Sequence, residues 1–164
     1  MDLEFDARYE AFRTQVRDFV AAHRPARNTR LGDGNWDERV AWLSLQIEHG
    51  YWARTIPKEY GGYGAEPDLL ETVIMDEEFN KAGVIRGMMA QGPSMLVPTL
   101  LSHGSEEQCR RWIGPTMRGE VIWCQGYSEP GAGSDLASLQ TSATEDGDDF
   151  VINGQKIWTS TADM

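Results

Sequence analysis

The residues of this chain that could do chemistry are concentrated in a glycine-rich stretch, Gly126–Asp135, which reads GYSEPGAGSD. Because glycine has no Cβ, a loop of this kind lets a phosphate group or a flat heterocycle approach its backbone N–H groups. Gly131 and Gly133 would provide that open backbone, and Ser134 adds a hydroxyl that can bind an anion. An ordinary surface turn is the alternative that composition alone leaves open.

Three common loop signatures are absent from the chain, and their absence excludes several classes of protein. The dinucleotide pattern G-x-G-x-x-G fails because Leu136 stands at the third glycine position. Neither the phosphate-loop pattern G-x-x-x-x-G-K-[ST] nor the hydrolase pattern G-x-S-x-G occurs. A Rossmann fold, a P-loop nucleotide site and an α/β-hydrolase are therefore not predicted.

Composition and charge narrow the possible partners. The 164 residues carry a formal net charge of −11, which argues against a broad nucleic-acid surface. The two cysteines form no C-x-x-C pair and the three histidines are far apart, so we expect neither a disulfide framework nor a metal site. No apolar run approaches the ~18 residues of a membrane helix, and the acidic start, Met1–Asp6, lacks the order of a secretion signal. We therefore expect a cytoplasmic protein with no nucleic-acid partner and no membrane span.

The elements that must position the glycine-rich stretch begin with helices over residues 1–120. Apolar residues recur there every three or four positions, which is the spacing of an amphipathic helix. Helices are predicted over about 5–19, 36–47, 67–82, 93–101 and 105–117. In the third of these, the apolar stripe is weaker and consists of Leu70, Val73 and Ile74.

Several residues indicate where these helices begin and end. Pro25 and the polar stretch through Gly34 would end the first helix, and Pro98 would kink the fourth or shift its start. Ser105 followed by Gln108 is a capping box, in which the serine oxygen accepts from the backbone N–H of Gln108 while the glutamine side chain reaches back. The start of the fifth helix is therefore predicted at this serine.

After residue 120 the pattern changes to short apolar runs that predict strands. Val121–Tyr127 is one such run. The Asn153-Gly154 pair between Phe150–Ile152 and Gln155–Trp158 predicts a hairpin, because Asn-Gly favours the type I′ turn that matches the twist of paired strands.

The predicted fold class is therefore α+β. An all-helical domain at residues 1–120 is followed by the first strands of an incomplete antiparallel β domain at 121–164. Three or so strands cannot close a sheet and cover both its faces. We therefore expect the chain to be the front part of a longer protein.

The order of motifs resembles the acyl-CoA dehydrogenase family of flavoproteins. The stretch YSEPGAGSDLASLQT, an acidic turn and then FVINGQKIWTS match the family's Ser/Thr-Glu-Pro and Asn-Gly-x-Lys-x-Trp motifs. The resemblance extends back through GSEEQCRRWIGPTMRGE and IPKEYGGYGA, so it covers essentially the whole chain. It implies an acyl-CoA dehydrogenase-like fold, with the rest of the β domain and a C-terminal helical domain beyond residue 164.

The resemblance also implies a binding site for FAD. The residues that would contact FAD are Gln125, Tyr127, Ser128, Gly133, Ser134, Trp158, Thr159 and Ser160. Gly133 and Ser134 would meet the pyrophosphate, and Ser134 would also border the acyl-CoA substrate. Ser128 would donate to the pyrimidine side of the flavin ring, Trp158 would pack against the ring, and Ser160 would donate to flavin N5.

The activity implied by the resemblance is FAD-dependent oxidation of an acyl-CoA thioester to the 2,3-enoyl-CoA. Electron-transfer flavoprotein would be the electron acceptor, and the assembly would be a homo- or hetero-oligomer such as a dimer of dimers. The catalytic base, a glutamate in most of the family, would lie beyond residue 164, so this chain holds no catalytic residue and would be inactive alone. Two alternatives stay open: a related acyl-CoA oxidase or nitroalkane-oxidase-like flavoenzyme, and a non-catalytic truncated subunit that needs a partner chain.

Without the resemblance, several of these residues have ordinary structural interpretations. Trp158 would be a core residue, since a tryptophan after a hairpin most often packs. Glu129 is predicted to be structural, bonding the backbone within its own Glu-Pro turn. Met88 and Met89 are predicted to fill a core rather than line an acyl pocket. Glu145–Asp149 is predicted to be a solvated loop.

Overall fold

The computed structural model describes residues 6–25 and 35–162, and the chain divides into two compact units after Val121. The first unit is helical and the second contains two antiparallel strands, which confirms the α+β class. Phe5 of the predicted apolar stripe, the polar stretch through Gly34 and positions 163 and 164 lie outside the described residues.

The first unit is built from α-helices. The helices in its described part are α1 (Ala7–His23), α2 (Trp36–Glu48), α3 (Leu69–Lys81), α4 (Val97–His103) and α5 (Glu106–Met117). Over the part of the chain that the structure covers, no helix is both long and apolar enough to cross a membrane.

Side-chain caps fix the starts of α1 and α5, and the cap at Ser105 is the one that the sequence predicts. The Asp6 carboxylate accepts from the backbone N–H groups of Arg8 and Tyr9 at 2.9 and 3.2 Å, which fixes the start of α1. The Ser105 hydroxyl accepts from the Gln108 N–H at 3.2 Å, and the Gln108 side chain accepts from the Ser105 N–H at 2.9 Å. The predicted capping box is therefore confirmed.

The predicted shift of the helix start at Pro98 is not observed, because helical backbone continues through Leu96, with φ −65 and ψ −49, into α4. A single π-helical turn, Gly92–Leu96, precedes α4, so that Pro98 is the second residue of that helix. The change from π to α spacing falls next to this proline, which has no N–H to donate within the helical run.

Two buried clusters hold the first unit together. One joins α1, α2 and α3 and consists of Val16, Phe19, Val20, Trp42, Tyr51, Ile74, Met75, Phe79 and Val84. The other joins the end of α2 to α4 and α5 and consists of Ile47, Ala53, Ile56, Val97, Cys109, Ile113 and Met117. Met88 is buried, as predicted, but the prediction for Met89 is wrong, because Met89 is 92% exposed.

The face that α3 buries differs from the predicted stripe. Leu70 and Val73 are exposed, whereas Glu71 and Glu78 are buried beside Ile74. The two glutamates can be buried because arginine side chains from outside α3 reach them. The predicted stripe is therefore wrong at Leu70 and Val73.

The strands form a hairpin at a different place from the one predicted. β1 (Ser142–Asp146) pairs antiparallel with β2 (Asp149–Asn153), and the turn between them is Gly147-Asp148. Gly147 has φ +65, which the first central residue of a type II′ turn requires. The prediction of a solvated loop at 145–149 is correct for exposure, but these residues form the turn and the strand ends.

Asn153-Gly154 is not a hairpin turn, and the residues after it form no strand. A Cβ at Gly154 would lie 2.2 Å from the Thr141 hydroxyl oxygen, so the glycine allows a close approach of two backbone segments. The predicted strands at Val121–Tyr127 and Gln155–Trp158 are also wrong. These segments meet through single contacts rather than a continuous ladder, and a strand needs a ladder to be one.

Candidate functional site

The glycine-rich stretch forms a tight turn that leaves its later residues in solvent. Glu129 and Ala132 exchange backbone hydrogen bonds of 2.9 and 3.0 Å, with Pro130 and Gly131 at the corner. Gly133 and the following Ser134 are exposed. A Cβ at Gly131 or Gly133 would meet no atom within 4 Å. The chain's own packing therefore does not require these glycines, and the backbone has open space for a ligand.

A second segment, residues 156–161, lies against the residues just before this turn. Ile157 N–H donates to the Ser128 carbonyl at 2.9 Å, and Lys156 Nζ donates to the Tyr127 carbonyl at 3.0 Å. The Thr161 hydroxyl lies 2.8 Å from the Trp123 carbonyl oxygen. The two segments are therefore joined near both ends, as the proximity of Ser128 to Trp158 in a shared site would require.

The Glu129 carboxylate is the buried polar centre of this arrangement. It is 6% exposed and accepts from Lys156 Nζ at 2.8 Å, from Gln140 N–H at 2.7 Å and from Thr141 N–H at 3.0 Å. The Lys156 ammonium, followed by the donors at Thr141 and Gln140, lowers the pKa of Glu129 to about 2. Glu129 is therefore a fixed anion at neutral pH rather than an acid that exchanges protons.

The prediction of a structural Glu129 is right about its backbone bonds but wrong about where they are. Its carboxylate bonds the backbone of residues 140–141 and not that of its own Glu-Pro turn. The reason is geometric, because the turn already satisfies its own N–H and carbonyl groups through the Glu129–Ala132 pair.

Trp158 is displayed on the surface in a strained backbone conformation. The side chain is 84% exposed, and φ is +57, in the left-handed region that L-residues avoid at a cost of about 1–2 kcal/mol. Ser160 N–H donates back to the Trp158 carbonyl at 2.9 Å and closes a sharp turn. The interpretation of Trp158 as a core residue is therefore wrong. A flat, exposed aromatic ring held at such a turn can stack against another flat ring.

The structure brings some of the predicted FAD contacts together and leaves others separate. Tyr127 and Ser128 lie beside the segment that carries Trp158, while no described contact joins Ser134 to that segment. Gln125 and Thr159 are half-buried. Among the described residues, no hydrogen bond uses the hydroxyl of Ser128, Ser134 or Ser160. These hydroxyls can therefore donate to a ligand.

Lys156 is the residue that the sequence reasoning missed. It is the lysine of the Asn-Gly-x-Lys-x-Trp motif. A signal was present, since Lys156 is the only Lys or Arg after residue 120, in a stretch that contains seven Asp and Glu residues. In the structure this cation has a buried carboxylate partner, Glu129.

No metal centre is visible in the described ranges. They hold no group of three or more His, Cys, Asp or Glu side chains arranged to bind an ion. The donor groups at the turn are backbone N–H groups and hydroxyls, which suit an anionic or heterocyclic organic ligand better than a cation.

Comparison with known proteins gives matches along nearly the whole chain. Residues 6–120 match the family model described as "Acyl-CoA dehydrogenase, N-terminal domain". Residues 124–164 match the model described as "Acyl-CoA dehydrogenase, middle domain".

Individual relatives and solved structures are also similar to this chain over nearly its whole length. Acyl-CoA dehydrogenase IpdE1 of Mycobacterium tuberculosis is 39% identical over 163 residues, which cover 94% of this chain and 42% of the relative. A solved structure titled Tcur3481-Tcur3483 steroid ACAD superposes with a TM-score of 0.67 at 32% identity. The match covers 98% of this chain and 41% of the chain in that structure. The ChsE4-ChsE5 complex from Mycobacterium tuberculosis gives a TM-score of 0.65 at 31% identity, over 99% of this chain and 41% of its own. The chain thus spans about two fifths of the length of each of these three proteins.

Proposed function

Because this chain belongs to the acyl-CoA dehydrogenase family, with residues matching the N-terminal and middle domains, we propose that the protein containing it is an FAD-dependent acyl-CoA dehydrogenase. Its reaction would be the oxidation of an acyl-CoA thioester to the 2,3-enoyl-CoA. The acyl chain that it accepts would be set by the whole protein.

The observation that carries the proposal is the joining of Ser128 to the segment that displays Trp158. Ile157 N–H donates to the Ser128 carbonyl at 2.9 Å, so the hydroxyl-bearing Ser128 is bonded to the residue that directly precedes the exposed Trp158. A flavin needs an aromatic surface for its ring and hydrogen-bond donors for its polar edge. The described residues offer both, so they fit FAD.

The proposed FAD contacts divide by the chemistry that each residue offers. Ser128 would donate from its N–H and hydroxyl to the pyrimidine edge of the ring, Trp158 would stack against the ring, and Ser160 would donate to N5. The open backbone at Gly133 and the hydroxyl of Ser134 would hold the pyrophosphate. The remaining proposed contacts are Gln125, Tyr127 and Thr159.

The proposed reaction explains why hydrogen-bond donors would be needed at the edge of the flavin ring. Two hydrogens leave the thioester, the α-hydrogen as a proton to a base and the β-hydrogen as a hydride to bound FAD, which supplies the redox chemistry that no side chain carries. Preorganised donors at the ring edge stabilise the negative charge that develops there, by analogy with oxyanion holes. The proposed base is a glutamate beyond residue 164.

We also propose that the protein works in an oligomer and passes electrons to electron-transfer flavoprotein. A structure similar to this chain is a complex of two named components, ChsE4 and ChsE5, which supports a homo- or hetero-oligomer here. Acyl-CoA is the proposed substrate, and Ser134 is the proposed residue of this chain that borders it.

The proposal is tested on the native-length protein that carries this chain. We expect its visible absorption spectrum to show bound flavin, and we expect anaerobic addition of acyl-CoA to bleach those bands. Ser160→Ala should weaken FAD binding and slow the bleaching. Ser142→Ala, which removes an exposed serine of β1 in the same unit, is the matched control and should leave both unchanged. A purified protein without flavin bands that takes up no added FAD would refute the proposed function.

A further inference from the structure

We infer that Glu129 and Lys156 are positioning residues for the flavin site, in that their ion pair aims the Ser128 N–H and locks the Trp158 segment beside it. The inference rests on the proposed function. It goes further by assigning a role in flavin binding to two residues that need not touch the flavin.

The first support is that one dipeptide makes contacts to three successive residues. Lys156 Nζ donates to the Tyr127 carbonyl at 3.0 Å and to Glu129 Oε1 at 2.8 Å. Ile157 N–H donates to the carbonyl of the intervening Ser128 at 2.9 Å. The register between the two segments is therefore specified at each of three positions, and a slip by one residue would break all three contacts.

The second support is the direction of the Ser128 N–H. No cis peptide bond occurs in the described part of the chain, so the carbonyl of Tyr127 and the N–H of Ser128 point to opposite sides of one planar trans peptide. Lys156 holds that carbonyl, and the N–H is thereby turned away from Lys156. Within the described ranges no group of the chain accepts from this N–H, so it can donate to a ligand.

The third support is that the Glu129–Lys156 pair makes directional hydrogen bonds that an apolar pair could not make. The Glu129 carboxylate accepts from the two successive N–H groups of Gln140 and Thr141 besides Lys156, and so gathers three segments around one buried group. Only the Glu129 side chain is buried, whereas the Lys156 side chain is 27% exposed; taking a carboxylate out of water is costly, and an apolar pair of similar size is often at least as stable. The geometry that the charges specify, rather than stability, therefore accounts best for the pair.

The experiment compares Lys156→Met, Lys156→Arg and Glu129→Gln in the native-length, FAD-binding protein. The readouts are the FAD dissociation constant from flavin fluorescence, the shape of the bound-flavin spectrum, far-UV circular dichroism and thermal unfolding. We expect K156M and E129Q to keep the circular dichroism of the wild type and to bind FAD about tenfold more weakly or worse, which is the size of effect that outer supporting contacts have at other sites. K156R keeps a charged donor and should recover most of the affinity.

Lys81→Met is the matched control, because it also removes a lysine from a buried glutamate, Glu78, but in the other unit. It should leave the FAD dissociation constant and the flavin spectrum unchanged. A merely structural role for Lys156 predicts the opposite pattern, in which K156M lowers the unfolding temperature but binds FAD like the wild type, as K81M does.

Hydrogen–deuterium exchange of the FAD-free protein gives a readout that does not depend on flavin. Residues 127–129 should take up deuterium faster in K156M than in K156R or the wild type. If the wild type binds FAD while K156M and E129Q bind it equally well, or if K156R loses as much affinity as K156M, the inference is wrong and the proposed function stands. If the wild type binds no FAD, the proposed function fails and the inference fails with it.

Discussion

Glu78 of α3 accepts a hydrogen bond of 2.8 Å from the Arg13 guanidinium of α1, and this carboxylate is only 4% exposed. Arg17 at 3.2 Å and Lys81 at 2.9 Å reach the same carboxylate. Helices 1 and 3 are therefore held together by a shared buried anion as well as by apolar packing, and the energetic weight of that anion can be measured.

Glu78→Gln should destabilise the first unit. The substitution removes the negative charge that three cationic side chains share, and a hydrogen bond to a charged group contributes about 1.5–3 kcal/mol. We expect a loss of about 2 kcal/mol in the free energy of unfolding, measured with urea. Glu77→Gln is the matched control on the same helix, because Glu77 is 44% exposed and its pairs should contribute less than about 1 kcal/mol. Equal losses in the two variants would contradict a special role for Glu78.

The stability of the protein should depend on pH through the same residue. Burial raises the pKa of Glu78, but hydrogen bonds from Lys81, Arg13 and Arg17 outweigh it and lower the pKa from 4.5 to about 2. A carboxylate with a lowered pKa in the folded state contributes stability fully above its unfolded pKa and loses it as pH falls. The unfolding temperature should therefore drop between about pH 4.5 and 2, and by less in Glu78→Gln. Parallel curves for wild type and variant would overturn this prediction.

Gly87→Ala should be much more damaging than Gly83→Ala. Both glycines have positive φ, +67 and +66, which costs alanine about 1–2 kcal/mol. A Cβ at Gly87 would in addition lie 2.2 Å from the Trp52 ring, which is fixed by its 2.8 Å bond to the Met117 carbonyl, whereas a Cβ at Gly83 meets nothing within 4 Å. We expect losses of about 3 kcal/mol and about 1 kcal/mol, measured by chemical unfolding. A Gly83 variant as unstable as the Gly87 variant would show that backbone strain, and not the contact with Trp52, determines the loss of stability.

Replacing Trp158 should separate backbone strain from ligand binding. Asparagine enters the left-handed region more readily than alanine, so Trp158→Asn should be more stable than Trp158→Ala by about 0.5–1 kcal/mol in thermal unfolding. Both variants lack the ring, and both should bind FAD more weakly than the wild type. Full FAD affinity in either variant would remove Trp158 from the proposed site.

The helices were predictable from the sequence because they depend on local rules. Caps such as the Ser105–Gln108 box and the recurrence of apolar residues act within a few positions, so the start of α5 follows from the chain itself. The buried face of α3 was not predictable by those rules. Periodicity assigns charged residues to solvent, but Glu78 is neutralised by Arg13, which lies 65 positions away in the sequence.

The candidate site was predictable in part. The resemblance located the segments around Ser128 and Trp158, yet the strands expected there are absent, because single contacts at Ser128 and Thr161 replace a ladder. The predicted position of the hairpin is wrong because Asn153-Gly154 is a stronger local turn signal than Gly147-Asp148. The glycine at 154 is instead required by the close approach of Thr141, which no local pattern indicates. The strain at Trp158 has no local signal at all.

The acidic turn of the hairpin has a consequence for colloidal behaviour. Phe150, Val151 and Ile152 of β2 are 63%, 48% and 70% exposed, and an apolar strand in this state can pair with the same strand of another molecule. Three aspartates, Asp146, Asp148 and Asp149, stand at the turn directly before this run. Each copy therefore carries negative charge beside an exposed apolar strand. Electrostatic repulsion between the aspartates of two copies opposes pairing of their β2 strands. High salt would screen that repulsion and favour aggregation through β2.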